Sequence, residues 1–142
     1  MKINTLADLI FQVESSGNWF AVRFEPAHNP RSDFVTRMRD LCNISWDTAR
    51  VLCQMSWGGF QIMGDELVSL GLTVSPLEYC ASPGMQTDFF NRYCVADHLN
   101  LSLQDVIDDE SKRLLFARLY NGPGNVQAYA DRMLNVYRKN TP

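Results

Sequence analysis

The C-terminal segment carries the strictest pattern in the chain. Apolar residues recur there at i, i+3, i+4, i+7, i+8 and i+11, namely Val126, Tyr129, Ala130, Met133, Leu134 and Tyr137. This spacing follows the 3.6-residue period of an α-helix, so one stripe of the helix is apolar and the rest is polar. The pattern predicts a long amphipathic helix that packs one face against a hydrophobic core.

The same period, with capping residues and breakers, predicts most of the other elements. A first helix begins at Thr5, where Thr5-x-x-Asp8 forms a capping-box variant, and stops near residues 15–18. Further helices are expected from Ser45 to about Met55, and over residues 65–70, 85–99, 103–108 and 111–120. Residues 19–44 are predicted to be irregular, with a short strand over 19–24. We therefore expect a mainly α fold with at most a small β element near residues 20–25.

Length and charge limit the partners of the chain. With 142 residues it is long enough for one self-sufficient domain, 1–142. Its formal net charge of −3 gives no broad positive field, so nucleic acid and anionic membranes are poor candidate ligands. No run of about 18 apolar residues could span a membrane, and the N-terminus does not resemble a signal peptide. Monomer is the default expectation.

The sequence contains few residues that could bind a metal ion or a cofactor. There are two histidines and four cysteines, and no two cysteines have CxxC spacing. We therefore predict no metal site and no cofactor, and we expect free thiols at Cys42, Cys53, Cys80 and Cys94.

Glu14 is the residue whose position is most unusual. It lies eight residues after Leu6, so it extends the apolar stripe of its own helix. A carboxyl held beside apolar side chains loses hydration in its charged form, and its pKa rises toward the range useful for a general acid. The alternative is a glutamate at a fraying helix end that reaches out to water.

A second candidate segment runs over residues 56–64, Ser-Trp-Gly-Gly-Phe-Gln-Ile-Met-Gly. Two adjacent glycines let a ligand approach the backbone, while Trp57 and Phe60 offer faces on which sugar rings could stack. Gln61 could then bind hydroxyl or acetamido groups through both its donor and its acceptor. The alternative is a glycine-broken helix whose aromatic residues belong to the core.

A third candidate is the end of the helix that closes at Tyr120 and Asn121, before Gly122-Pro123-Gly124. Side chains at such a sharp turn can project into a cleft, although the segment alone is an ordinary helix stop.

Taken in order, four blocks resemble the phage N-acetylmuramidase (endolysin) domain family of the lysozyme-like superfamily. They are residues 14–17, 24–28, 56–64 and 116–124. Gly59 departs from the pattern, because that family usually has a larger apolar residue there. The superfamily also includes soluble lytic transglycosylases and goose-type lysozymes, in which a Glu-Ser, a Gly-Leu-Met-Gln-type segment and a Tyr-Asn segment line one cleft. The resemblance implies a lysozyme-like fold.

The resemblance further implies an enzyme that hydrolyses the β-1,4 bond between N-acetylmuramic acid and N-acetylglucosamine in bacterial peptidoglycan. Glu14 would be the general acid and Glu25 is the first candidate for a second catalytic carboxyl, unless it is only a structural hydrogen-bonding residue. The substrate-binding residues would be Ser56, Trp57, Gly58, Phe60, Gln61, Tyr120 and Asn121.

Two rival functions remain open at this stage. Without a second carboxyl, Glu14 could act as acid and then base in a lytic transglycosylase that releases 1,6-anhydro products. A non-catalytic peptidoglycan-binding domain of the virion is the other rival. We expect synthesis in the host cytoplasm, followed by action on the wall from the periplasm or delivery on a phage particle.

Overall fold

The computed structural model describes residues 1–141. Over that stretch the chain forms helices around one small antiparallel sheet, as the sequence predicted. In chain order the elements are α1 Leu6–Ser15, β1 Val22–Phe24, α2 Ser32–Cys42, α3 Trp46–Cys53, β2 Met55–Trp57, β3 Ile62–Met63, α4 Gly64–Ser69, α5 Pro76–Cys80, α6 Pro83–Ala96, α7 Leu103–Asp108, α8 Glu110–Asn121 and α9 Val126–Asn140. None of the helices within residues 1–141 is long and apolar enough to cross a membrane.

Helix α1 begins at the predicted capping box. Thr5 Oγ1 accepts a hydrogen bond from the Asp8 amide, and Asp8 Oδ2 accepts one from the Thr5 amide. The helix buries Leu9 and Val13 completely and ends at Ser16, whose backbone is left-handed. Its last turn is thus anchored in the core, which fixes the position of Glu14.

The sheet has the order β1-β2-β3 with both pairs antiparallel. Val22 lies opposite Trp57, and Ser56 lies opposite Met63. The strand predicted near residues 20–25 is confirmed as β1. Its partners β2 and β3 were not predicted, because they are short and the glycines between them suggested a broken helix.

The turn between β2 and β3 approaches α1 and α6 closely. Gly58 has a φ of +75°, and an added Cβ would lie 2.3 Å from Gln86 Oε1. A Cβ on Gly59 would lie 2.2 Å from the Phe11 ring. The departure from the family pattern at Gly59 thus has a physical reason: the phenyl ring of Phe11 fills the space that a larger side chain would take.

Helices α2 and α5 correct the sequence prediction. Residues 19–44 were expected to be irregular, yet α2 covers Ser32–Cys42 and buries Val35 and Met38. Its apolar residues do have helical spacing over 34–42, but the breakers before them, Asn29-Pro30 and Ser32, suggested an irregular segment. Helix α5 begins at the capping box of Ser75 and Glu78, a signal that the sequence did contain.

Gln86 on α6 holds three separate segments together inside the core. Its Nε2 donates to the carbonyls of Trp19 and Cys80 at 3.0 and 2.9 Å, and its Oε1 accepts from the Gly59 amide at 2.7 Å. The side chain is fully buried, so water cannot replace these bonds. The β2–β3 turn therefore depends on one amide group from α6.

We expect Gln86→Met to lower the free energy of unfolding by about 3 kcal/mol, because it leaves two carbonyls and one amide buried without partners. Urea denaturation measures the change. Gln127→Met removes only an exposed hydrogen bond to Asp131 and should cost less than about 0.5 kcal/mol. Equal effects of the two substitutions would contradict this role for Gln86.

Candidate active site

A cleft of about 300 Å³ gathers most of the residues that the sequence singled out. Its lining comes from α1, the region of β1, the β2–β3 hairpin and the end of α8: Glu14, Arg23, Glu25, Ser56, Gln61, Met63, Tyr120 and Asn121. A cavity of about 440 Å³ between α1 and α6 has no Asp, Glu, His, Lys or Arg in its lining. The cleft is therefore the better candidate for acid–base chemistry.

Glu14 lies half-buried at the C-terminal end of α1. Its Oε1 accepts a hydrogen bond from the hydroxyl of Tyr129 on α9. Burial raises the pKa of Glu14 above its ordinary value, and the Tyr129 hydrogen bond and the charges of Arg132 and Arg23 oppose part of this rise. The carboxyl consequently keeps its proton to a higher pH than an exposed glutamate would.

Glu25 is the second carboxyl of the cleft. Arg23 Nε contacts Glu25 Oε1 at 2.5 Å, and both side chains are partly exposed. The Glu25 amide donates to the Gln54 carbonyl at 2.8 Å, which continues the pairing beyond β1. Arg23 therefore neutralises one carboxyl of the cleft and also lies near the other.

Gln61 lines the cleft, but its amide is bonded mainly within the protein. Its Nε2 donates to the carbonyls of Ala21 and Gly58 at 3.1 and 2.9 Å, and its Oε1 accepts from Ser56 Oγ at 2.8 Å. These bonds hold Gln61 in a left-handed backbone conformation, with a φ of 52°. Both amide hydrogens of Gln61 are therefore bonded within the protein, and binding of a sugar by Gln61 stays a prediction.

Trp57, Gly58 and Phe60 support the cleft from behind, while Ser56 lies in its lining. The side chain of Ser56 is buried, and its hydroxyl donates a hydrogen bond to Gln61 Oε1. Trp57 is 4% exposed and donates to the Leu52 carbonyl, and Phe60 is 1% exposed with its ring stacked on Phe90 at 4.6 Å. The prediction of stacking faces for sugars is wrong for both rings; the alternative of aromatic core residues is correct. Gly58 is also buried and does not line the cleft.

Tyr120 and Asn121 end α8 at the edge of the cleft, as predicted. The Tyr120 hydroxyl donates to the Phe60 carbonyl at 2.6 Å, and its ring stacks on Phe116. Asn121 is exposed and lines the cleft. Tyr120 therefore positions the wall of the cleft, while Asn121 is available for a ligand.

Sequence reasoning missed Arg23, Tyr129 and Arg132. Tyr129 was assigned to the apolar stripe of the last helix, and its 115-residue separation from Glu14 gave no sign of their contact. The sequence also gave no sign of the contact between His28 and Asp65, whose Nε2 and Oδ2 atoms lie 2.7 Å apart.

Within residues 1–141, no group of three or more His, Cys, Asp or Glu side chains is arranged to hold a metal ion. The four cysteines are free thiols in the structure.

A mainly α chain whose half-buried carboxyl, at the end of its first helix, faces a cleft beside a small antiparallel sheet is a lysozyme-like protein. The family model of N-acetylmuramidase matches residues 35–141. An endolysin of Enterobacteria phage PRD1 is 32% identical over 142 residues, and the match covers 93% of this chain and 93% of the relative. No solved structure matches the chain. The chain belongs to the N-acetylmuramidase family of peptidoglycan-degrading enzymes.

We expect Glu14→Gln to stabilise the protein at neutral pH. Since the folded-state pKa of Glu14 is raised above its ordinary value of 4.5, the native state binds more protons than the unfolded state in the interval between the two values. The stability that protonated Glu14 contributes is thus fully present below pH 4.5 and is lost as the pH rises through the folded-state pKa of Glu14.

Thermal unfolding from pH 3.5 to 7.5 measures this difference. The melting temperature of Glu14→Gln should exceed that of the wild type at pH 7, and the gap should narrow as the pH falls. Glu110→Gln, at an exposed carboxyl on α8, is the control and should show no such convergence. A gap that does not vary with pH would contradict the burial of Glu14.

Proposed function

We propose that the protein is a muramidase that cleaves the β-1,4 bond between N-acetylmuramic acid and N-acetylglucosamine. The observation that carries the proposal is the partly desolvated carboxyl of Glu14, which faces a 300 Å³ cleft with Glu25 in the same lining. Most glycoside hydrolases use two carboxyl groups that lie in different environments. Family membership supplies the class of polymer.

Glu14 is the general acid in this proposal. Burial keeps its proton in place until a glycosidic oxygen enters the cleft, and the proton then passes to that oxygen as the bond to the anomeric carbon breaks. The Tyr129 hydroxyl remains bonded to Oε1 and stabilises the carboxylate that results. Tyr129 is thus a positioning residue for Glu14.

Glu25 is the candidate base. It would take a proton from the water whose oxygen adds to the anomeric carbon, and it would also stabilise the positive charge that develops on the sugar. In such enzymes the two carboxyl groups lie about 6.5–9.5 Å apart when water attacks directly. Arg23 holds the Glu25 carboxylate in the lining through its Nε contact.

The ion pair with Arg23 also favours a second candidate reaction. If Arg23 keeps Glu25 from acting as a base, Glu14 alone would give a proton and then take one back from the 6-hydroxyl of the muramic residue. That hydroxyl would attack the anomeric carbon and close a 1,6-anhydro ring, as in a lytic transglycosylase.

Polar groups would bind most of the substrate, because Trp57 and Phe60 are buried. Asn121 carries an amide with both a donor and an acceptor at the edge of the cleft, which suits an acetamido or hydroxyl group. Tyr120, Ser56 and Gln61 shape the cleft, and the second lone pair of Gln61 Oε1 can accept from the sugar.

The similarity to a phage endolysin supports action on the bacterial wall. We propose synthesis in the host cytoplasm and action from the periplasm, or delivery on a phage particle. We also propose that the protein acts as a monomer.

Glu14→Gln should lower the rate of peptidoglycan cleavage by about 10²–10⁴-fold, because the amide cannot donate the catalytic proton. Release of soluble fragments from purified peptidoglycan measures the rate, and Glu110→Gln serves as the matched control. Activity close to wild type would overturn the assignment of Glu14.

Mass spectrometry of the released fragments separates the candidate functions. Reducing muramic ends indicate hydrolysis, and 1,6-anhydro ends indicate transglycosylation. Binding to peptidoglycan without any fragment would show a non-catalytic wall-binding domain.

Glu25→Gln tests the second carboxyl. If Glu25 activates water, we expect a loss of about 10²-fold or more in turnover with little change in melting temperature. Turnover within about threefold of wild type, with anhydro products, would assign both proton transfers to Glu14.

A further inference from the structure

A second cavity of about 220 Å³ adjoins the cleft beside Glu14. It shares Glu14, Arg23 and Asn121 with the cleft, and α9 with the loop before it forms the remaining side through Asn125, Ala128, Tyr129 and Arg132. A ligand that reaches Glu14 through the cleft therefore also meets this cavity.

Arg132 contributes a positively charged guanidinium group to the lining of the cavity. It lies one turn after Tyr129 on α9 and is exposed. No carboxylate of residues 1–141 lies within ion-pair distance of its guanidinium group.

Arg23 contributes a second guanidinium group to the same cavity. Its Nε donates a hydrogen bond to Glu25, and neither of its terminal amino groups makes a hydrogen bond within residues 1–141. The cavity is thus bordered by two guanidinium groups with N–H donors to spare, and the charge of Arg132 is not offset by an ion pair within residues 1–141. Glu14, the carboxyl of the same lining, is uncharged while it carries the catalytic proton.

Guanidinium groups bind carboxylates well because their planar donors match two carboxylate oxygens. Peptidoglycan carries carboxylates only on its muramic residues, either on the lactyl ether itself or on the peptide stem attached to it. A neutral glycan such as a chitin oligomer has none. The cavity therefore suits the substituent of a muramic residue next to the bond that is cut.

We propose that Arg132, together with Arg23, binds a carboxylate of the muramic substituent in this second cavity and so selects muramic-containing strands over neutral glycans. The inference rests on the proposed function, because it assigns a substrate group to the cavity beside Glu14. Asn121 and Asn125 supply amide donors and acceptors at the same cavity for the rest of the substituent.

The test compares Arg132→Gln with Arg138→Gln, which makes the same charge change six residues later on α9 at an exposed arginine. The substrates are intact strands, whose carboxylates lie on peptide stems, and amidase-treated strands, whose carboxylates are lactyl groups. Each is also used after methyl esterification, which removes the charge. Circular dichroism and melting temperature confirm that both variants fold.

We expect Arg132→Gln to lose about tenfold in kcat/KM on at least one charged substrate, the order expected for one charge-assisted hydrogen bond. Arg138→Gln should stay within about twofold of wild type. After esterification, the ratio between wild type and Arg132→Gln should fall below about two. A loss on intact strands alone assigns the peptide stem, and a loss on amidase-treated strands alone assigns the lactyl group.

Equal losses on charged and esterified substrates would overturn the proposal, because Arg132 would then act only through Glu14 or the fold. No loss on either charged substrate would also overturn it. Binding of the same four substrates to Glu14→Gln, with and without Arg132→Gln, repeats the test without catalysis. Charge-dependent binding with no cleavage by wild type would support the carboxylate site and overturn the proposed function instead.

Discussion

The contact between the Glu14 carboxyl and the Tyr129 hydroxyl joins the first helix to the last. Both residues sit where α1 packs on α9, and this packing removes water from one side of the carboxyl. Desolvation and the hydrogen bond then act on Glu14 in opposite directions, and desolvation is the larger. Without α9, the end of α1 would face solvent and Glu14 would be an ordinary exposed acid. The raised pKa of Glu14 is therefore a property of helix packing.

The hairpin that forms one side of the cleft is braced from within. Gln61 ties β2 and β3 to the residue before β1, and Gln86 ties the turn to α6. The amide hydrogens of half-buried Gln61 and fully buried Gln86 are bonded within the protein, so the hairpin presents a preformed surface instead of flexible binding groups. The polar residues around the rim, Asn121, Arg23 and Arg132, remain exposed. This division explains why the most recognisable motif of the chain consists of supporting residues.

The sequence predicted the helices in which capping residues and an apolar stripe indicate the same segment. The capping box at Thr5 and the stripe of α9 place two helices almost to the residue. Helix α2 was missed because the breakers before it suggested a loop, and the β2–β3 pair was missed because strands of two or three residues show no readable alternation. For the site, the order of motifs brought Glu14, Glu25, Gln61, Tyr120 and Asn121 to one cleft. The burial of Trp57 and Phe60 agrees with the alternative that the sequence left open, because local spacing could not decide whether their rings belong to the core or to a cleft.

By itself, the sequence determined a mainly α fold, placed Glu14 on an apolar stripe and carried the blocks of the N-acetylmuramidase family. These properties depend on neighbours along the chain, so spacing and residue type suffice to state them. The tertiary structure alone decided which groups surround Glu14, because Tyr129 and Arg132 come from the far end of the chain and only packing brings them near. It also decided which motif residues face the cleft and which support it. Hydrogen bonding of buried amides and exclusion of water are properties of the assembled core, and no local pattern contains them.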